Sequence, residues 1–215
     1  MLENIKAVIF DMDGTLIDSM WVWQAIDCEY MARYGFEYTE DFHKAIEGMN
    51  FYDTACYFKE HFNIDKSVDA IIEDWHNMAH DKYICDVKFK EGAVSFIEKL
   101  KKCGIKTGIA TSNSRELVDA FLEENKADKY FNYVCTSSEV TASKPAPDLY
   151  LTVAKQLSVS PENCLVFEDI PNGIRAGINA GMKTCAVWDR FSVHCDEEKK
   201  GLADYYINDF NEIEF

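Results

Sequence analysis

The chain has 215 residues, 47% apolar and 28% charged, a balance that excludes a disordered polypeptide and suffices for one sizeable core with a smaller insertion. Its formal net charge of -16 excludes a binder of nucleic acid or of an anionic membrane surface, since both rely on a basic footprint. No apolar run approaches the roughly 20 residues that span a bilayer, and "MLENIK" lacks the basic flank of a signal segment, so a cytoplasmic protein is expected.

In chain order, "AVIF" predicts the first strand and runs straight into "DMDGT" (11–15). The interval 16–88 holds no convincing strand. It carries four helix-like stretches rich in aromatics: "SMWVWQAIDCEYMARYG", "EDFHKAIEG", "NFYDTACYFKEHF" and "SVDAIIEDWHNMAHDKYI". From residue 89 short β-branched or aromatic runs alternate with helical periodicities. "EGAVSFIEKLKKCG" sets Ala93, Phe96, Ile97 and Leu100 on one face and stops at Gly104. After the strand "KTGIAT", "NSRELVDAFLEENK" places Asn113 three residues before Glu116, a capping arrangement. The strand "YVCT", the helix "APDLYLTVAKQL", the strand "CLVF", the helix "NGIRAGINAGM" and the strands "TCAVW" and "DYYI" complete the set, with acidic "CDEEKK" read as a solvated loop. This pattern predicts an α/β fold, a doubly wound parallel sheet built from 1–15 and 89–215, with an all-helical cap inserted at 16–88.

Eight cysteines occur without a CxxC, and several sit in apolar runs such as "NCLVF", so reduced, buried thiols are expected. His76 and His80 stand four apart, but no glutamate follows His76 as in HExxH and no third ligand is evident, so they read as a solvated or packed pair. Gly173, Gly177 and Gly181 at four-residue spacing suit a helix lying close to the sheet, not a nucleotide fingerprint.

Three predicted strands end in polar groups: Phe10 runs into Asp11 and Asp13, Ala110 into Thr111 and Asn113, and Phe167 into Glu168 and Asp169. Open parallel sheets bind ligands beyond the carboxyl ends of their strands, so these groups converge if the strands are neighbours. Any one pair could be a cap or a turn; three together point to a site. Carboxylates two residues apart repel unless something cationic holds them. Mg2+ fits, with Asp11 and Asp169 as natural side-chain ligands. An EF-hand loop does not, because a loop starting at Asp11 would place Leu16 and Val22 where glycine and glutamate belong. In "SKPAPD" Lys144 precedes a proline that favours extended backbone, and its compact charge suits a phosphoryl oxygen.

Four motifs in order, "DMDGT", "IATSN", "SKPAPD" and "FEDIPNG", resemble those of the haloacid dehalogenase superfamily of aspartate-based phosphohydrolases and phosphomutases, over nearly the whole chain. The closest likeness is to members with a helical cap after the first strand, among them beta-phosphoglucomutase and small-molecule phosphatases. The resemblance implies that Asp11 is a nucleophile forming an aspartyl-phosphate and that Asp13 is the general acid and base, its backbone carbonyl also on the metal. It implies Mg2+ held by Asp11, Asp13, Asp169 and Glu168, and a phosphoryl group bound by Thr111, Ser112, Asn113 and Lys144. Dehalogenases of the superfamily lack the second aspartate and use no metal, so Asp13 points to phosphoryl transfer. With Asp13 protonated, Asp11, Glu168 and Asp169 balance Mg2+ and Lys144, which allows a phosphate into an acidic protein.

The cap departs from the phosphomutase pattern. Where that pattern has a histidine and an arginine, this chain has Trp23 and Phe51, and Arg33 is the only arginine in 16–88. A second phosphate would need a bidentate cation, so hydrolysis is expected over mutation. Trp23 and Phe51, with Trp21, Met20 and Met49, could line an apolar specificity pocket, although packing in the cap's own core is the expectation for most of them. The expected substrate is a small phosphorylated metabolite and the expected state a monomer or weak dimer. The alternatives are a sugar-phosphate mutase and a non-catalytic metal or phosphate binder that regulates a partner.

Overall fold

The computed structural model describes residues 1–46 and 51–215, with the backbone alone at 40, 43, 44 and 51. Six strands, β1 (Ala7–Phe10), β2 (Lys106–Thr111), β3 (Tyr133–Thr136), β4 (Cys164–Glu168), β5 (Lys183–Val187) and β6 (Tyr205–Ile207), form one all-parallel sheet in the order β3-β2-β1-β4-β5-β6. β1 is therefore central, with β2 and β4 as its neighbours, and the chain winds outward from it in both directions. Each apolar run predicted as a strand is one, because continuous apolar residues suit strands covered on both faces.

Alternation along β1 divides the core. Phe10 stacks on Phe167 at 5.4 Å between ring centroids and meets Phe96 edge-on at 6.1 Å. Ala7 and Ile9 face the other way, into a cluster with Leu149, Tyr150, Val153, Val166 and Ala176. Of the helices around the sheet, α5 (Ala93–Lys102) buries the predicted face of Ala93, Phe96, Ile97 and Leu100. α6 is Arg115–Glu124, α7 is Asp148–Gln156, and α8 is Pro171–Asn179. A Cβ at Gly177 would stand 2.8 Å from Thr184 Cγ2 and 3.3 Å from Val166 Cβ, so this glycine does let α8 lie close to β4 and β5. Gly181, at φ +74°, instead ends that helix.

The chain divides into two compact units, Met1–Ser19 with Val87–Phe215, and Met20–Asp86. The second is a helical insertion of α1 (Trp21–Arg33), α2 (Glu40–Ile46), α3 (Phe51–His61) and α4 (Val68–Cys85). Its centre is aromatic: Trp75 meets Phe58 at 4.9 Å and Tyr30 at 5.8 Å, and Phe42 meets Phe58 at 5.1 Å. Trp21, Trp23 and Met20, expected in that core, are only half-buried; Met49 and the side chain of Phe51 lie outside the described residues. His76 and His80 are half-buried, and among the described residues they join no metal-ligand cluster.

Three expectations are corrected. The acidic segment is not a solvated loop: Asp196–Leu202 is a helix, α9, with acids in its first turn, lysines in its last, and Lys199 fully buried. Asn113 does not cap α6; Ser114 does, its hydroxyl accepting from Leu117 N at 3.3 Å. All eight cysteines are free, yet Cys85 and Cys103 are exposed and only Cys135, Cys164 and Cys185 are buried. No described helix is long and apolar enough to cross a membrane.

Candidate active site

Register brings the strand ends together. Phe10 pairs with Ile109 on one side and Phe167 on the other, so Asp11 follows β1 at the level where β2 reaches Ala110 and β4 reaches Glu168. Asp11 N donates to Phe167 O at 3.0 Å, which fixes this level. Asp11 shares parity with Ile9, and Glu168 with Val166, so both point to the α7 and α8 face of the sheet. There Lys144, in the loop before α7, donates to Asp11 Oδ1 at 2.5 Å, to Glu168 Oε1 at 2.6 Å and to Ala110 O at 3.1 Å. The Lys144–Pro145 peptide bond is cis.

Glu168 is held on every side. Tyr150 OH donates to Oε1 at 2.8 Å, while the backbone N–H groups of Asp169 and Ile170 donate to Oε2 at 3.0 and 3.4 Å. A Cβ at Gly173 would fall 1.8 Å from Oε1, so only glycine leaves room for this carboxylate against α8. Asp169 Oδ1 accepts from Thr15 Oγ1 at 3.0 Å, and its Oδ2 is buried with no hydrogen-bond partner.

Beyond β1 the chain reverses on Gly14, at φ +78°, and Met12 O accepts from the N–H groups of Thr15, Leu16 and Ile17. Past this turn Asp13 is half-buried, with partners of its own. Its carboxylate accepts from Ser19 Oγ at 2.6 Å and from Asn113 Nδ2 at 2.9 Å. Thr111 is buried, with Oγ1 accepting from Asn113 N at 3.0 Å; Ser112 is exposed, and its carbonyl accepts from Ser137 Oγ. The fold thus gathers Asp11, Asp13, Thr111, Asn113, Lys144, Glu168 and Asp169 in one unit. Trp23 belongs to the helical insertion.

Electrostatics follow from burial. Carboxylate oxygens of Asp11, Glu168 and Asp169 lie within 4.8 Å of one another, all buried. Burial, and next the charge of Glu168, push Asp11 up to about 7 despite Lys144, and push Asp169 well above the carboxylate range. Burial works against the charge of Lys144, but Asp11 and Glu168 outweigh it and hold the ammonium protonated. Burial and Glu168 also raise Tyr150, which stays a neutral donor. Three clustered carboxylates with one lysine, and an orphaned Asp169 oxygen among them, form a set of hard oxygen donors that a divalent ion fits.

Several residues of this site carry no signal in the sequence. Tyr150 sits at an apolar position of a helix, and Ser19 follows the motif by four residues; only the folded loops bring them to Glu168 and Asp13. Thr15 lies inside "DMDGT", where its reach to Asp169 across 154 positions is a tertiary fact.

The family model for haloacid dehalogenase-like hydrolases matches residues 8–187. The chain is similar to the phosphorylated carbohydrates phosphatase of Thermotoga maritima, 31% identical over 179 residues that cover 83% of each chain. It is likewise similar to pyrophosphatase PpaX of Bacillus cereus, 30% identical over 86% of this chain and 83% of the relative. Among solved structures, a candidate beta-phosphoglucomutase of Thermotoga maritima superimposes with a TM-score of 0.82 at 28% identity, over 94% of each chain. With the motifs, the parallel sheet and its helical insertion all in agreement, the chain belongs to the haloacid dehalogenase-like hydrolase family.

Proposed function

We propose that this chain is a Mg2+-dependent phosphohydrolase acting on a small phosphorylated metabolite through an aspartyl-phosphate. The carrying observation is the different setting of two carboxylates: Asp11 is buried against Lys144, while Asp13 is half-buried and accepts from Ser19 and Asn113. Phosphoryl transfer to an aspartate needs one group that attacks and another that moves a proton, in different environments. Asp11 attacks phosphorus as the ester bond breaks, and Asp13 gives its proton to the leaving oxygen. In the second half Asp13 takes a proton from water, whose oxygen attacks phosphorus as the P–O bond to Asp11 breaks, which releases phosphate and restores the Asp11 carboxylate. Lys144 and the Thr111 hydroxyl bind the phosphoryl oxygens, with Asn113 orienting Asp13. Asp11 and Asp169, with the Asp13 carbonyl, would hold Mg2+ beside the already hydrogen-bonded Glu168 carboxylate, and the ion when bound would neutralise negative charge between carboxylates and phosphate.

Hydrolysis is favoured over the mutase reading that the beta-phosphoglucomutase likeness raises. Arg33, the sole arginine of the insertion, lies exposed in the last turn of α1 over the Tyr30 ring, at 5.6 Å from its centroid. No other cation of the bidentate kind is available there for a second phosphate. The relatives named for phosphatase and pyrophosphatase activity support the same choice.

Replacing Asp11 with Asn should lower Mg2+-dependent phosphate release from p-nitrophenyl phosphate roughly 10³-fold or more. Retained activity would remove the nucleophile assignment. Conversion of a hexose 1-phosphate to its 6-phosphate without phosphate release would favour the mutase.

A further inference from the structure

We propose that Tyr150 is a positioning residue that keeps Lys144 available to the transferring phosphoryl group, an inference that rests on the phosphohydrolase reading above. One ammonium is divided between a carboxylate that reacts, Asp11 at 2.5 Å, and one that does not, Glu168 at 2.6 Å. Glu168 Oε2 is already taken by two backbone N–H groups, so Oε1 is the oxygen that competes for Lys144. The Tyr150 hydroxyl donates to that same Oε1 at 2.8 Å, from a side chain with no exposed surface.

Two consequences follow for the lysine. A second donor on Oε1 draws off part of its negative charge and weakens its hold on the ammonium. As charge gathers on the phosphoryl oxygens and Lys144 turns its hydrogen bonds to them, the hydroxyl stays as a partner, so no buried carboxylate oxygen is left bare. The Tyr150 ring, with its centroid 5.1 Å from Nζ, keeps the cation near throughout. Packing among Leu149, Val153, Ile9 and Val166 asks only for an aromatic ring at this position. The hydroxyl is what packing does not explain.

Tyr150→Phe keeps the ring and removes the hydroxyl. With p-nitrophenyl phosphate and saturating Mg2+, kcat per folded molecule should fall about five- to twentyfold, while KM stays within about threefold and the half-saturating Mg2+ within about twofold. Folded protein is counted by circular dichroism, and thermal unfolding of the metal-free variant is followed in parallel. A kcat within about twofold of wild type overturns the inference. So does a loss carried equally by KM, or one that tracks the Mg2+ requirement or the folded fraction. Tyr150→Leu removes the ring as well and should lose at least as much; impairment of this variant alone would assign Tyr150 to packing and overturn the proposal. Wild-type protein that releases no phosphate ends the functional reading and this inference with it. Wild-type turnover with an unchanged Tyr150→Phe ends this inference alone.

Discussion

Asp11 and Asp169 differ from ordinary surface carboxylates in that burial beside Glu168 makes ionisation costly for each. The direction of the resulting pH dependence can be worked out from Asp11. Its value rises from 3.8 to about 7, so between those values the folded metal-free protein holds a proton that the unfolded chain has released. Stability from this group therefore falls as pH rises through that window and is level above it. A cation must displace the same proton. Mg2+ affinity should be about tenfold or more tighter at pH 8 than at pH 5.5, with proton release to buffer, as read by titration calorimetry. An affinity independent of pH would show that the cluster is already ionised without metal. The carboxylates themselves were legible in the sequence, because each sits where an apolar run stops. Their partners were not: Asn113 reads as a helix cap, and only the neighbouring Ser114 taking that role leaves its amide for Asp13.

At the level of elements, β-branched and aromatic runs announce all six strands, because a strand buried on both faces has no polar position to confuse the pattern. α9 is the exception that local reading misses. "CDEEKK" is charged at every position but its first, yet Lys199 is fully buried there, with Nζ 3.0 Å from Ser192 Oγ and 3.3 Å from Val187 O. Asp196 Oδ1 lies 2.7 Å from the same Nζ, an ion pair one helical turn apart. Lys199 thus ties α9 to the end of β5 and to the turn that follows. Its replacement by Met leaves Asp196 and the Val187 carbonyl without their cation and should cost about 2–4 kcal/mol in urea unfolding. A cost below about 0.5 kcal/mol would mean that the buried lysine contributes nothing net.

At the scale of the molecule, the helical insertion leaves and re-enters the α/β unit at adjacent points. Asp18 N donates to Lys88 O at 2.9 Å, so the two connections run side by side within that unit. Closing such a gap with a short loop costs little entropy. A variant in which a Gly-Ser linker replaces residues 20–86 should keep the parallel sheet and unfold in one cooperative transition, followed by far- and near-ultraviolet circular dichroism. Loss of the near-ultraviolet signal would show that the α/β unit depends on its insertion. Class, strand count, the presence of an insertion and the acidic strand ends all follow from local periodicity and spacing, which short-range sterics and solvent exposure impose on any chain of this pattern. The partners of those acids were decided only in three dimensions. Hydrogen bonds such as Thr15 to Asp169, Asn113 to Asp13 and Lys144 to Asp11 join positions 100 or more residues apart. Sheet order and side-chain parity set such contacts, and neither is written in any one segment.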